Sequence, residues 1–112
     1  MNKIDQIFEK SLNINEFSKS YFDYLGKVLS NISLDEIEGF VKLILDARHR
    51  GSTIFFIGNG GSAATASHFA NDIAIGTRTY DQPFRVISLC DNQAVITAIA
   101  NDDGYEKIFS QQ

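Results

Sequence analysis

The stretch that decides the fold class of this chain is Thr53-Ile54-Phe55-Phe56-Ile57-Gly58-Asn59-Gly60-Gly61-Ser62. Its first half is short, continuously apolar and rich in β-branched and aromatic residues, which is typical of a strand buried on both faces. Its second half is a glycine loop, and a helix of small residues follows from about Ala63 to Ala74. The segment Phe84-Arg85-Val86-Ile87-Ser88-Leu89 predicts a second strand. The order strand, glycine loop, helix, strand predicts a right-handed βαβ crossover within a parallel sheet.

Helices are predicted on both sides of this unit. Apolar residues recur at helical spacing before it, but Asn13 and Asn15 interrupt the pattern, so the region contains either two helices or one bent helix. A third segment starts at the capping box Ser33-Leu34-Asp35-Glu36 and ends before Gly51, a residue suited to the left-handed position after a helix. One more short helix is predicted after Asp91, a candidate N-cap.

The composition fits a globular domain and argues against several functions. The chain has 112 residues, 44% of them hydrophobic, and a net charge of −4. This mix can form a core, while the acidic balance argues against nucleic-acid binding. The apolar runs are far shorter than the roughly 20 residues of a membrane-spanning helix. We therefore expect neither a membrane nor a nucleic-acid partner. The single cysteine, Cys90, cannot form an internal disulfide, so we expect a cytoplasmic protein.

The number of predicted strands is too small for the predicted architecture. Two strands do not make a stable parallel sheet covered by helices on both faces. The final residues, Ser110-Gln111-Gln112, also stop inside a helical pattern. We therefore expect residues 1–50 to form an N-terminal helical region and residues 51–112 to form the first part of a longer α/β domain. The alternative is that a partner chain supplies the missing strands.

The glycine loop is a candidate anion site. Glycines allow a sharp turn that brings backbone N–H groups close to a ligand, and the dipole of the following helix, with Ser62 expected at its N-cap, favours negative charge. Phosphate is the expected ligand, and a tight turn without a ligand is the alternative.

Two other phosphate-binding motifs fit this loop less well. A P-loop is excluded because no Lys lies between Gly58 and Asp72. The segment Gly58-x-Gly60-x-x-Ala63 matches a loose dinucleotide fingerprint, but Asp91 lies much farther along than the expected distance of about 20 residues. Nicotinamide binding therefore stays a minor alternative.

Two polar groups accompany the loop. His68 and Asp72 are four residues apart, so both project from one face of the predicted helix. Such a pair can bind a divalent metal or transfer a proton, and an ordinary surface pair is the alternative. The segment Asn101-Asp102-Asp103-Gly104, taken alone, is typical of a turn.

In combination, these motifs resemble the sugar isomerase (SIS) domain of the phosphoheptose isomerases. The resemblance is carried by the order and spacing of four segments: Gly58-Asn59-Gly60-Gly61-Ser62, His68-Phe69-Ala70, Ile87-Ser88-Leu89 and Asn101-Asp102-Asp103-Gly104-Tyr105. It covers essentially the whole chain, but only the first half or slightly more of such a protein. It implies a three-layer αβα fold with a flavodoxin-like parallel sheet, incomplete here and preceded by N-terminal helices. Because the family uses those helices for oligomerisation, we expect a homo-oligomer, and specifically a tetramer.

The resemblance also implies roles for individual residues. Six match substrate-contacting positions of the family: Asn59, Gly60, Gly61, Ser62, Asn101 and Asp102. His68 matches a zinc ligand, and Asp72 stands where the family has a Glu that is both a zinc ligand and the catalytic base. The remaining ligands, a Gln and a His on a late helix, would lie beyond Gln112.

The function implied by the resemblance is that of an aldose–ketose isomerase. The expected reaction converts sedoheptulose 7-phosphate to D-glycero-D-manno-heptose 7-phosphate for surface-polysaccharide synthesis. Asp72 is the important departure, because Asp is one methylene shorter than Glu and a misplacement of about 1 Å can cost roughly 100-fold in rate. The alternative is a non-catalytic SIS module that binds a sugar phosphate or a protein partner, similar to a bacterial regulator of replication initiation.

Overall fold

The structure is a computed structural model that describes residues 2–78 and 80–112. It divides into two compact units, the first ending at Glu38 and the second beginning at Gly39. The domain boundary predicted after residue 50 stays a prediction.

The helices and strands follow one another in the order α1 (Lys3–Lys10), α2 (Ile14–Ser30), α3 (Leu34–His49), β1 (Thr53–Phe56), α4 (Gly61–Asn71), β2 (Arg85–Ser88) and α5 (Gln93–Asp102). A π-helical turn, Asp72–Gly76, continues α4, and a 3-10 turn, Tyr105–Lys107, follows α5. Within the described ranges, no helix combines the length and the apolar character needed to cross a bilayer.

The N-terminal region contains two helices rather than one bent helix. Both begin at an asparagine, because the side-chain oxygens of Asn2 and Asn13 each accept a hydrogen bond from the backbone N–H three residues further on, at 2.9 and 3.0 Å. Asn13 therefore interrupts the apolar pattern as the N-cap of α2. Phe8 and Phe17 pack edge to face, with ring centroids 5.5 Å apart, and join α1 to α2.

Helix α3 starts and stops where the sequence predicts. At its start, the hydroxyl of Ser33 accepts a hydrogen bond from the backbone N–H three residues on, at 3.3 Å. At its end, the N–H of Gly51 donates to the carbonyl of Arg48 and the N–H of Ser52 donates to the carbonyl of Ala47. Gly51 has a φ of +64°. These two bonds and this angle form a Schellman motif, which ends α3 shortly before β1 begins.

The two strands confirm the predicted βαβ unit. They pair in parallel, with Thr53 opposite Arg85 and Phe56 opposite Ser88, and α4 lies between them in the chain. Both strands fall inside the ranges predicted for them. Because the strands are parallel, their carboxyl ends meet at one edge of the sheet, where the loops that follow β1 and β2 become neighbours.

One face of this sheet is covered by α4. Ala66 and Ala70 of this helix are buried, and the ring of Phe69 packs edge to face on Phe56 at 5.3 Å. The opposite face carries Phe55 and Ile87, which stay 57% and 49% exposed. Within the described residues, α4 covers one face of the strands, and the burial predicted for the other face is not seen at Phe55 and Ile87.

Candidate active site

The glycine loop is a tight turn that leads directly into α4. The N–H of Ser62 donates to the carbonyl of Asn59 at 3.0 Å, which closes a four-residue turn. Gly60, at its first central position, has φ 55° and ψ −124°. This is the backbone conformation of a type II′ turn, which is occupied by glycine at that position.

The start of α4 differs from the prediction. Ser62 was expected at the N-cap, but the N-cap is Gly60, it makes no side-chain cap bond, and the helix begins at Gly61. The physical reason is that the type II′ turn already closes at Ser62, so the helix starts inside the turn. Ser62 instead lines a cleft of about 320 Å³ together with Thr65 and Phe69.

Gly58 is the position where the loop approaches the helix most closely. A Cβ atom on Gly58 would lie 2.5 Å from the carbonyl carbon and oxygen of Ser62, which is closer than side chains can approach. A Cβ on Gly61 would meet nothing within 4 Å. The loop therefore requires glycine at Gly58 for space and at Gly60 for its backbone angle, whereas Gly61 is sterically open.

The turn presents unused hydrogen-bond donors. Among the described residues, no hydrogen bond uses the backbone N–H of Gly60 or Gly61, and both glycines are exposed. These N–H groups lie at the positive end of the α4 dipole. The turn can therefore donate to an anionic or carbonyl oxygen, as the sequence predicts.

His68 and Asp72 form the predicted pair near the end of α4. Nε2 of His68 lies 3.2 Å from Oδ2 of Asp72, and the side chains are 77% and 58% exposed. Asp72 also begins the π-helical turn. It lines an apolar cleft of about 310 Å³ with Phe40, Ile44 and Phe69, among other side chains. Since Phe69 also lines the cleft beside the turn, the two clefts are neighbours along α4.

The pair fits part of a zinc site. Zinc in proteins is bound by imidazole nitrogen and carboxylate oxygen, usually with four ligands. His68 and Asp72 present one group of each kind within contact distance of the other. Across residues 2–78 and 80–112, no cluster of three or more potential ligand side chains is present. The two residues therefore match two positions of such a site, and the others would come from elsewhere.

The second predicted substrate-contacting pair lies at the end of α5. Asn101 and Asp102 belong to the last turn of the helix, so the chain turns slightly later than predicted, and Nδ2 of Asn101 donates to Oδ1 of Asp102 at 2.7 Å. The contact with the glycine turn is made by a residue that sequence reasoning did not single out. The hydroxyl of Tyr105 donates to Oδ1 of Asn59 at 2.8 Å.

A further polar group, missed by sequence reasoning, lies where α4 meets the end of β2. The hydroxyl of Ser67 donates to Oδ1 of Asp91 at 2.5 Å, and the hydroxyl oxygens of Ser67 and Ser88 are 3.2 Å apart. Ser88 is only 7% exposed. Cys90 extends the group, because its N–H donates to the hydroxyl oxygen of Ser88 at 3.1 Å and its thiol donates to the carbonyl of Gly58 at 3.4 Å.

The predicted N-cap role of Asp91 is wrong. The cap of α5 is Asn92, whose Oδ1 accepts a hydrogen bond from the N–H of Val95 at 3.1 Å. Asp91 is instead engaged by Ser67 on α4. Both residues are good caps by type, and their spacing from the following apolar pattern does not separate them.

Comparison with known proteins places this site in a family. The model of the SIS domain family matches residues 20–112. The chain belongs to the SIS domain family. This confirms the family predicted from the glycine loop, the His68 segment and the Asn101 segment.

The chain is also similar to individual curated proteins and to a solved structure. The chain is 35% identical over 95 residues to a probable phosphoheptose isomerase of Thermoplasma acidophilum, covering 85% of this chain and 52% of that protein. It is 36% identical over 88 residues to the lincomycin biosynthesis protein LmbN of Streptomyces lincolnensis, covering 78% of this chain and 32% of LmbN. The structure of phosphoheptose isomerase GmhA from Neisseria gonorrhoeae superposes with a TM-score of 0.75 at 27% identity, covering 89% of this chain and 53% of GmhA.

These matches confirm the predicted SIS fold with helices at the N-terminus. The SIS chain described here spans about half the length of the Thermoplasma and Neisseria proteins.

Proposed function

We propose that the protein is an aldose–ketose isomerase of sugar phosphates, converting sedoheptulose 7-phosphate to D-glycero-D-manno-heptose 7-phosphate for surface-polysaccharide synthesis. The observation that carries this proposal is the His68–Asp72 pair, 3.2 Å apart on the helix that starts at the glycine turn. A titratable pair and a group of unused N–H donors thus share one helix. The relatives named phosphoheptose isomerase support the choice of substrate.

The chemistry assigned to these residues is a proton shift between neighbouring carbons. The N–H groups of Gly60 and Gly61 hold an oxygen of the substrate, with Ser62 as a further polar contact, and Asn101 and Asp102 form the second contact. The carboxylate of Asp72 takes a proton from the hydroxyl-bearing carbon beside the carbonyl, which leaves an enediolate. The protonated carboxyl then returns this proton to the former carbonyl carbon, while the hydroxyl proton passes from its own oxygen to the former carbonyl oxygen. The carbonyl thus moves by one position, and no redox partner is consumed.

His68 lies beside the base and shares the proposed metal site with it. Nε2 of His68 lies 3.2 Å from Oδ2 of Asp72, and a metal ion bound by both groups would replace this direct contact. We propose zinc as the cofactor, held by His68 and Asp72 together with ligands outside this pair. When bound, zinc polarises the carbonyl and hydroxyl oxygens of the substrate.

The test is turnover of sedoheptulose 7-phosphate by the zinc-loaded full-length protein. Asp72→Asn keeps the size of the side chain and removes the base, so we expect the rate to fall by about 100-fold or more. Asp23→Asn, an exposed change on α2, is the matched control and should keep the wild-type rate. Undiminished turnover in Asp72→Asn would overturn the assignment of the base.

A second candidate function is favoured by the identity of residue 72. The shorter Asp sets the carboxylate back from the position that the resemblance implies for a Glu, which suits a module that binds a sugar phosphate or a protein partner without catalysis. Such a protein would bind sedoheptulose 7-phosphate without turning it over and would have no need to retain zinc. If Asp72→Glu creates turnover where the natural protein has none, the natural protein is the binding module.

The exposed apolar residues of the first unit support a homo-oligomer, which we propose to be a tetramer. Phe8, Phe22 and Leu29 are 61%, 66% and 58% exposed. Large apolar side chains that stay exposed are the material from which interaction sites are built. Sedimentation equilibrium of the full-length protein would show a tetramer, and a monomer at micromolar concentration would contradict the proposal.

A further inference from the structure

Tyr105 is joined to the glycine turn by one long-range hydrogen bond. Its hydroxyl donates to Oδ1 of Asn59 at 2.8 Å, across 46 positions of the sequence. Asn59 is the first residue of the type II′ turn, and its backbone is already held because its carbonyl accepts from Ser62. The tyrosine therefore acts on what remains free in Asn59, the orientation of its side-chain amide.

The tyrosine itself is firmly anchored through its backbone. Its carbonyl accepts a hydrogen bond from the N–H of Ile108 at 3.3 Å, and Ile108 is only 3% exposed. Gly104, which precedes it, has a φ of +104°, and the N–H of Gly104 donates to the carbonyl of Ile99 at the end of α5. The residue is 57% exposed, so it contributes little to the core. Backbone bonds on both sides of Tyr105 thus place the residue, and its hydroxyl is used in the bond to Asn59.

The direction of this bond decides what Asn59 can offer a ligand. A side-chain amide has one acceptor oxygen and one NH₂ donor group. Since Oδ1 receives the tyrosine proton, the NH₂ group turns away from Tyr105 and is used by no other described residue. It has the same donor character as the unused N–H groups of Gly60 and Gly61.

We propose that Tyr105 is a positioning residue that fixes the amide of Asn59 with its NH₂ group toward the substrate, so that the turn presents only donors to a substrate oxygen. This inference rests on the proposed function, because it assumes that a sugar phosphate binds at the turn. Without the tyrosine hydroxyl, the amide can rotate by half a turn and present its oxygen, which repels a carbonyl or phosphate oxygen.

The test is a double-mutant cycle on the full-length protein, read by calorimetric titration with sedoheptulose 7-phosphate. Tyr105→Phe removes only the hydroxyl and should raise the Kd by about 2- to 10-fold, the effect of one hydrogen bond. Tyr80→Phe, at a tyrosine that is 79% exposed, is the matched control and should leave the Kd unchanged. Thermal unfolding of Tyr105→Phe should match that of the wild type.

The cycle separates positioning from a general structural role. If Tyr105 acts through Asn59, the Tyr105→Phe change should have no further effect on the Kd in an Asn59→Ala background. An equal loss in both backgrounds, or no loss in the single variant, would overturn the inference. Absence of any binding to the wild type would overturn both the inference and the proposed function. Binding without turnover would count against the isomerase alone, and the binding cycle would still decide the role of Tyr105.

Discussion

Two connections leave the carboxyl edge of the sheet. They have the same topology but differ in the residues that form the start of the following helix. Each joins a strand to a helix, β1 to α4 and β2 to α5. The first is glycine-rich, and its N-cap, Gly60, makes no side-chain bond to the helix. The second is polar, and its N-cap, Asn92, accepts from the N–H of Val95. In the first connection the unbonded N–H groups of Gly60 and Gly61 belong to residues without side chains, whereas in the second the side chain of Asn92 caps the start of the helix.

The difference lies in what surrounds each helix start. A side-chain cap satisfies one of the first N–H groups of a helix and adds stability, as Asn92 does for α5. At α4 no side chain caps the helix, and the glycine turn leaves room for a ligand beside its N–H groups. The second connection adds stability through bonds to α4 and to the first loop, made by Asp91 and Cys90. In this chain the second connection supports the first.

Among the substitutions in the two connections, Gly58→Ala is expected to have the largest effect on stability. The added Cβ would lie 2.5 Å from the backbone of Ser62, so the turn and the start of α4 cannot both keep their positions. We expect the free energy of unfolding to fall by about 3 kcal/mol, measured by urea denaturation.

Gly61→Ala is the matched control for this change. It adds the same methyl group to the same turn, where nothing lies within 4 Å. Its stability should stay within about 1 kcal/mol of the wild type. Equal effects of the two substitutions would contradict the close approach at Gly58.

An intermediate effect on stability is expected from Ser67→Ala, which removes the hydrogen bond between α4 and the second connection. The change removes the bond to Asp91 and the contact with buried Ser88. Loss of a hydrogen bond to a charged group should cost about 2 kcal/mol of unfolding free energy. Ser18→Ala on α2, which removes only a bond within its own helix, should change stability by less than about 0.5 kcal/mol. Ser67→Ala with wild-type stability would show that the second connection does not support α4.

The smallest effect is expected from Asn92→Ala, which makes the second connection resemble the first. Loss of this cap should cost about 1 kcal/mol, measured by the same denaturation experiment. Asn92→Asp keeps an acceptor at the cap and should retain most of that stability. If Asn92→Ala and Asn92→Asp were equally unstable, the side-chain oxygen would not be what stabilises the start of α5.

Much of the fold could be predicted because its signals are local. Three such signals predict the local backbone conformation. They are the change from helical to continuous apolar spacing at Thr53, the glycine at position 51 and the run of glycines from Gly58. The His68–Asp72 contact is of the same kind, since helical geometry alone brings residues four apart together. These features follow from spacing in the chain.

The parts that sequence reasoning missed depend on tertiary placement. Ser67 meets Asp91 only because α4 lies across the end of β2, and Tyr105 reaches Asn59 only because the chain folds back after α5. No local pattern marks these pairs, which are 24 and 46 positions apart. The shift of the α4 start away from Ser62 had a different cause, because the sequence signals a glycine turn but does not specify its type.

The hydrogen bonds around Ser67 also define a direction. The series of hydrogen bonds begins at the backbone N–H of Cys90, which can only donate, and ends at the carboxylate of Asp91, which can only accept. The hydroxyls of Ser88 and Ser67 between them therefore each have one orientation. The proton of Ser67 points to Asp91, and that of Ser88 must then point to Ser67. The N–H of Cys90 and the hydroxyls of Ser88 and Ser67 thus form a line of three dipoles that all point toward the carboxylate of Asp91. The contact between α4 and the end of β2 therefore has a fixed polarity.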